Sequence, residues 1–348
     1  MSRIPPPPVI HRPFAQINTH LLPRLQWNHN GGYCGETSVI IAGLNYGQYL
    51  SQFDMRAIAS PGMPQNSQTY PGVKNSPDAY YNAQLLLGVN DDSAATSVHL
   101  QNERKKSDDT AKFLTWVKRN VANGHPVVIG VFNNMNMLGE SGTGDPEYDH
   151  IVTVVGYGSM RSLQKSGILP DDQILIMDNG LYTPDGNNNI PYYYLFSLNK
   201  FLCNRKQANN PAGPVYSLLN LPKYQSKNPG GEKFNYGLLI NGVSDAHKET
   251  LPVQVLVSRN SEKPSIGSDS CSRPAEENIK LTITVSGLIA GKSYNLYYFN
   301  DEKNVPVKNF NRAGKKPWKT FSGSSGSSKS FHLSIRSSSK AFFRATEA

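Results

Sequence analysis

Apolar residues recur along this chain in two different rhythms. Through roughly the first 250 residues, helix-spaced sets alternate with unbroken β-branched runs; beyond that point, apolar and polar residues alternate one by one. Val39, Ile40 and Leu44 predict an amphipathic helix over 34–50, and a second helical pattern runs through 53–58 until Pro61 ends it. Residues 59–77 are dense in turn formers and read as a loop, followed by a short helix over 79–87 carrying Tyr80, Leu85 and Leu86. Ser107 offers an N-cap, with Asp108 and Asp109 as first-turn acids, for a helix bearing Phe113, Leu114, Val117 and Val121 and closed by Gly124. Strands are predicted over 126–132, 149–158, 173–180 and 192–196, with a loop over 133–147, a short turn or helix over 198–202 and loop over 211–231. Helices come first and an antiparallel run of strands follows, which is an α+β layout.

The rhythm changes near Thr250. Residues 252–257, 279–285, 294–299 and 329–335 alternate in the strand manner and are separated by Gly/Ser turns. No helical pattern interrupts them. That spacing predicts a small C-terminal β-sandwich of the fibronectin or immunoglobulin kind. The chain therefore divides into a proline-rich arm over 1–20, a mixed unit over 21–249 and the sandwich over 250–348.

Composition agrees with two ordered units. The chain has 348 residues, 38% of them hydrophobic and 18% charged, and no apolar run is long enough for a transmembrane helix. The first eight residues have no leader-like apolar stretch; a secreted protein is expected if a leader was removed ahead of them, and a cytoplasmic one otherwise. The net charge is +9, and residues 301–348 hold ten Lys/Arg against three Asp/Glu. That basic end favours an anionic surface or polymer as partner, with a merely solvated face as the plainer reading. Nothing points to specific nucleic-acid recognition, and no Asn-x-Ser/Thr sequon occurs.

Three cysteines are too few for a disulfide scaffold. Cys34 stands apart, between Gly31-Gly32-Tyr33 and the first predicted helix. Helix N-terminal N–H groups stabilise a thiolate, and the thiolate is the nucleophilic form. Cys203 and Cys271 remain as one candidate disulfide, with two unrelated buried thiols as the alternative. His150 begins a β-branched strand and Asp178 ends the next one. Strands adjacent in sequence usually pair, which brings the two side chains together. A histidine oriented by a carboxylate can take a thiol proton and return one to a leaving group. Gln26 carries an amide suited to an oxyanion. Gly32, Tyr33, Asp149 and Asn179 flank these groups as candidate substrate contacts, and Asn179 is the rival of Asp178 for orienting the histidine. Asp145, Glu147 and Asp149 form a solvated acidic loop. His20, His29, His99 and His125 lack ligand spacing, so no metal and no cofactor are expected.

Taken in order, these residues resemble a family. Gln26 followed by Tyr33-Cys34-Gly35 at a helix start is similar to the papain-like (clan CA) cysteine peptidases. His150 to Gly158 is similar to their histidine strand, and 176–180 falls where they keep an Asn or Asp. Within that clan the chain most resembles the peptidase C39-like proteins, which also place a strand like 126–129 ahead of the histidine. The likeness covers about residues 20–200. Gln26 lies eight residues before Cys34, against six in papain. The resemblance implies a papain-like catalytic domain over 21–249 and a thiol peptidase acting on a peptide or protein through a Cys34 acyl-enzyme. Two rival readings stand beside it: an acyl or peptidyl transferase on the same fold, and an inactive binding protein using the sandwich.

Overall fold

The computed structural model describes residues 6–18, 20–27, 33–59, 99–132, 148, 150–180, 193–203, 216–222, 234–258, 276–312, 314–323 and 326–348. The chain is α+β and its sheets are largely antiparallel. The main sheet is built from β1 (Phe14–Ile17), β3 (Leu100–Ser107), β4 (Val127–Val131), β5 (His150–Ser159), β6 (Gln173–Met177), β7 (Tyr193–Ser197) and β10 (Asn235–Val243). Its order is β3-β10-β4-β5-β6-β7, with β1 laid against the far half of β5. β5 is therefore central, and every residue in it is buried. Its near half pairs with β4 (Val131 opposite His150) and its far half with β1 (Ile17 opposite Gly156). The predicted N-terminal arm is thus partly sheet, because the unpaired edge left where β4 stops is a template for another strand.

Helix α1 (Cys34–Leu44) is shorter than the predicted 34–50, since the chain turns into the two-residue strand β2 (Gln48–Tyr49) and then α2 (Gln52–Ala59). It is not amphipathic either. All eleven residues are buried, which is the pattern of a helix enclosed on every side. Val39 and Ile40 join one apolar cluster with β4 and β5, while Ile41 and Leu44 join a second cluster with strands from the end of the chain. Helix α3 (Thr110–Ala122) follows the predicted face, but its cap is Asp109, whose carboxylate accepts from Lys112 N at 3.0 Å. Ser107 belongs to β3 instead, and its hydroxyl accepts from Asp109 N. A single-turn α4 (Leu198–Phe201) leads into a two-stranded pair, β8 (Leu202–Cys203) with β9 (Leu218–Leu219).

After residue 250 the predicted alternation is present. β12 (Val253–Val257), β13 (Asn278–Ser286) and β16 (Ser328–Arg336) form one sheet; β11 (Thr250–Leu251), β14 (Ser293–Phe299), β15 (Lys319–Ser322) and β17 (Ala341–Glu347) form another. In β13, Ile279, Leu281, Ile283 and Val285 point inward between exposed or half-exposed neighbours. They share a core with Tyr294, Leu296, Phe321 and Phe343 of the second sheet. This part of the chain is joined to the rest by more than its connection. β2 adds to β17, Phe343 N donates to Gly47 O at 2.7 Å, and the Tyr49 hydroxyl donates to Ser337 O at 2.8 Å. Gly47 has a φ of +70°, and a Cβ there would meet Phe343 O at 2.7 Å, so only glycine makes this junction without strain.

Among the described residues, no helix is long and apolar enough to cross a membrane. Of the predicted loop over 59–77, Ala59 ends α2 instead; the rest of that loop, the predicted helix over 79–87, Cys271 and the acidic loop of Asp145 and Glu147 lie outside the described residues, as does the side chain of Cys203. The proposed disulfide is therefore not described.

Candidate active site

Three elements meet at one buried point. Helix α1 begins at Cys34, so the thiol sits where helix N–H groups lack intrahelical acceptors. Cys34 is a free cysteine and 7% exposed. β5 begins at His150, which is 4% exposed. Asp178, fully buried, directly follows β6. β6 pairs with β5 with Thr153 opposite Met177. Continuing that register sets Asp178 against Val152, on the same face as His150, because side chains alternate with a period of two. The imidazole Nε2 and the Asp178 Oδ1 accordingly lie 3.0 Å apart. The Cys34 thiol also interacts with this imidazole, through a hydrogen bond and through its charge.

Burial by itself would push the His150 pKa down. The hydrogen bonds to Asp178 and Cys34, together with their charges, outweigh it and lift the imidazole to about 10. The carboxylate and the thiol thus both favour the protonated form of His150. Burial without a charged partner acts the other way at His125 and His20, whose pKa values fall.

Gln26 is in the site, but in a different relation to Cys34 than expected. Its Nε2 donates to Asn179 Oδ1 at 3.1 Å and to Gly180 O at 2.5 Å, while its Oε1 accepts from Tyr33 N at 3.0 Å. Turning the amide over would set N–H against N–H and oxygen against oxygen, so this orientation follows from its partners. Both amide hydrogens are committed, and donation to an oxyanion requires giving one of them up.

Two expected substrate contacts face inward instead. Tyr33 is 1% exposed, with its ring edge-on to Trp27 at 4.9 Å and the Arg56 guanidinium 3.5 Å over its face. Asn179 is fully buried. Neither presents a surface to a substrate; both brace the backbone around Cys34. Gly32 and Asp149 lie outside the described residues.

Sequence reasoning missed two features. Arg56 of α2 donates from Nε to Glu36 Oε1 of α1 at 2.7 Å, with both side chains 3% exposed. This buried ion pair lies two residues from the thiol, and no local pattern announces it. Tyr216 stacks on the His150 ring at 5.5 Å and 21°, and Tyr194 meets Tyr216 edge-on at 5.7 Å. Tyr216 falls within the stretch read as loop. The short apolar run 215–219 was its only signal, and an antiparallel bridge from Ser217 to Phe132 sets it in place.

No family model and no curated protein matches the chain. A crystal structure of the Amb a 11 cysteine protease, a major ragweed pollen allergen, in its proform, is similar to this chain at 13% identity. The match covers 67% of this chain and 68% of that one, with a TM-score of 0.27. A likeness of that degree decides neither fold nor activity.

Proposed function

We propose that this chain is a cysteine peptidase of the papain-like type, closest to the peptidase C39-like proteins. The observation that carries the reading is one buried imidazole bonded to a buried carboxylate and interacting with a thiol at a helix start. In this reading residues 21–249 form the catalytic unit, and residues 250–348 form a β-sandwich packed on it.

The chemistry runs on these groups. Cys34 attacks the carbonyl carbon of a peptide bond as a thiolate, with the helix start and the imidazolium both favouring the anion. The oxyanion formed takes backbone N–H bonds at the start of α1, joined by Gln26 if one of its amide bonds is exchanged. As the C–N bond breaks, His150 passes its proton to the departing amine, leaving an acyl-thioester on Cys34. A water then gives a proton to the neutral imidazole and attacks the thioester, which frees the acid and restores the starting pair. Asp178 keeps the ring oriented throughout, and Tyr216 covers one face of it.

The test is to incubate the protein with a mixed peptide library and read the products by mass spectrometry. Cleaved peptides are expected, and none with Cys34→Ala. Joined peptides would mean that an amine and not water resolves the acyl-enzyme. Products that persist in Cys34→Ala would remove the assignment.

A further inference from the structure

Asn179 makes more buried hydrogen bonds within the site than a turn residue after a strand requires. Its Nδ2 lies 2.8 Å from Cys34 O, 3.1 Å from Ile151 O and 3.0 Å from Ser38 Oγ, and its Oδ1 accepts from Gln26. Its own backbone carbonyl accepts from Gln26 N at 2.7 Å. Ser38 closes the ring, since its hydroxyl donates to Ile151 O at 3.2 Å. Two amide hydrogens are shared among three oxygens, so the amide cannot turn over without facing oxygen to oxygen.

What these acceptors belong to is informative. Cys34 O is the carbonyl of the proposed nucleophile, and Ile151 O is that of the residue next to the proposed base. One amide group therefore ties the backbone of α1 at Cys34 to the backbone of β5 at Ile151, the residue beside His150. The neighbouring Asp178 holds the imidazole itself. We infer that Asn179 is a positioning residue that sets the distance between the Cys34 thiol and the His150 ring by bonding to both main chains. This rests on the reading of Cys34 as nucleophile and His150 as its base. The dipeptide Asp178-Asn179 then divides the work: one residue orients the base, and the other fixes how far it stands from the nucleophile.

The fold does not need this amide in the way the site does. The sheet bonds between β5 and β6 run from Thr153 opposite Met177 to Gly158 opposite Gln173 and do not involve Asn179, and a leucine of similar size would leave the surrounding core filled while taking the amide bonds from the Cys34 and Ile151 carbonyls. The effect expected is on geometry, where a displacement of about 1 Å lowers rates by about 100-fold.

The test compares alkylation of Cys34 by iodoacetamide from pH 4.5 to 9 in the wild type, His150→Ala, Asn179→Leu and Asn179→Asp. Folding is followed by circular dichroism at each pH. Asn179→Leu is expected to remain folded and to lose most of whatever part of the wild-type rate His150→Ala removes. Asn179→Asp keeps the shape, and its neutral carboxyl can donate one bond where the amide donated. It is therefore expected to approach the wild-type rate at the acidic end. It should fall toward the His150→Ala rate as the carboxyl ionises against the Cys34 and Ile151 carbonyls. Wild-type rates and pH profile in both folded Asn179 variants would overturn the inference while leaving the His150 dependence intact. Loss of the folded signal together with the reactivity would make Asn179 a stability residue, which also overturns it. Equal rates in the wild type and His150→Ala would instead overturn the peptidase reading beneath it.

Discussion

The two parts of this molecule treat polar groups in opposite ways. Around the start of α1, the residues Gln26, Glu36, Arg56, His150, Asp178 and Asn179 are all at most 4% exposed. After residue 250 the cores are apolar, and the ion pairs Lys340–Glu302, Lys292–Glu347 and Arg336–Glu276 lie in reach of solvent. Among the described residues, Arg344 is the one charged side chain buried beyond that point. Burial pulls its pKa down to about 10, and it donates to Phe343 O and, more distantly, to Tyr46 O and His99 O of the first part. A buried charge costs stability unless it is paired and fully hydrogen-bonded. A region that gathers four ionisable side chains and two amides around one thiol carries a cost that the alternating sheets behind it, arranged for packing, do not.

The contrast can be broken most severely at the ion pair. Arg56→Met leaves Glu36 buried and without the guanidinium, and unfolding in urea is expected to show a loss of about 3–5 kcal/mol. Adding Glu36→Gln should recover much of that loss, because the cost lies in the orphaned charge more than in the missing bond. If Arg56→Met were nearly neutral, the pair would be reachable by water and the buried network would not exist as described. The counterpart beyond residue 250 is expected to be small. Lys340→Ala removes a pair whose side chains are 26% and 22% exposed, and it should cost under about 1 kcal/mol in the same assay. A loss as large as that of Arg56→Met would erase the difference between the two parts.

The same division explains what could be read from the sequence. β4, β5, β6 and β13 were legible because a buried strand is either an unbroken apolar run or a strict alternation. β3 was not: Leu-Gln-Asn-Glu-Arg-Lys-Lys-Ser is an edge strand with most of its side chains half-exposed or exposed, and it is a strand because β10 pairs with it from Asn235 opposite Ser107 onward. β10 itself was hidden by Gly237 and Gly242. Gly237 is there because a Cβ would meet Val128 O at 2.8 Å. β17 carries the buried Arg344 in a position where alternation alone predicts nothing polar.

Within the site, Cys34, His150 and Asp178 could be named from order and flanking pattern, since the helix start and the strand ends are local signals. Glu36–Arg56 and Tyr216–His150 are contacts between distant segments and leave no local trace. Tyr33 and Asn179 were seen as site residues but placed on the wrong side of it. Their neighbours in sequence are the proposed reactive groups, and only the packing reveals that they face inward.

The central claim is that Cys34 and His150 act as one ionised pair, and the rate of Cys34 alkylation across pH 4 to 11 measures it. A lone thiol becomes reactive near its ordinary pKa of about 8.5. His150, lifted to about 10 by Asp178 and Cys34 against the effect of burial, carries its charge below that pH and loses it above. The wild type is therefore expected to show a change in rate near pH 10 as the imidazolium gives up its proton. In His150→Ala that change should vanish. A wild-type profile with no change near pH 10, or with one that His150→Ala leaves in place, would contradict the account.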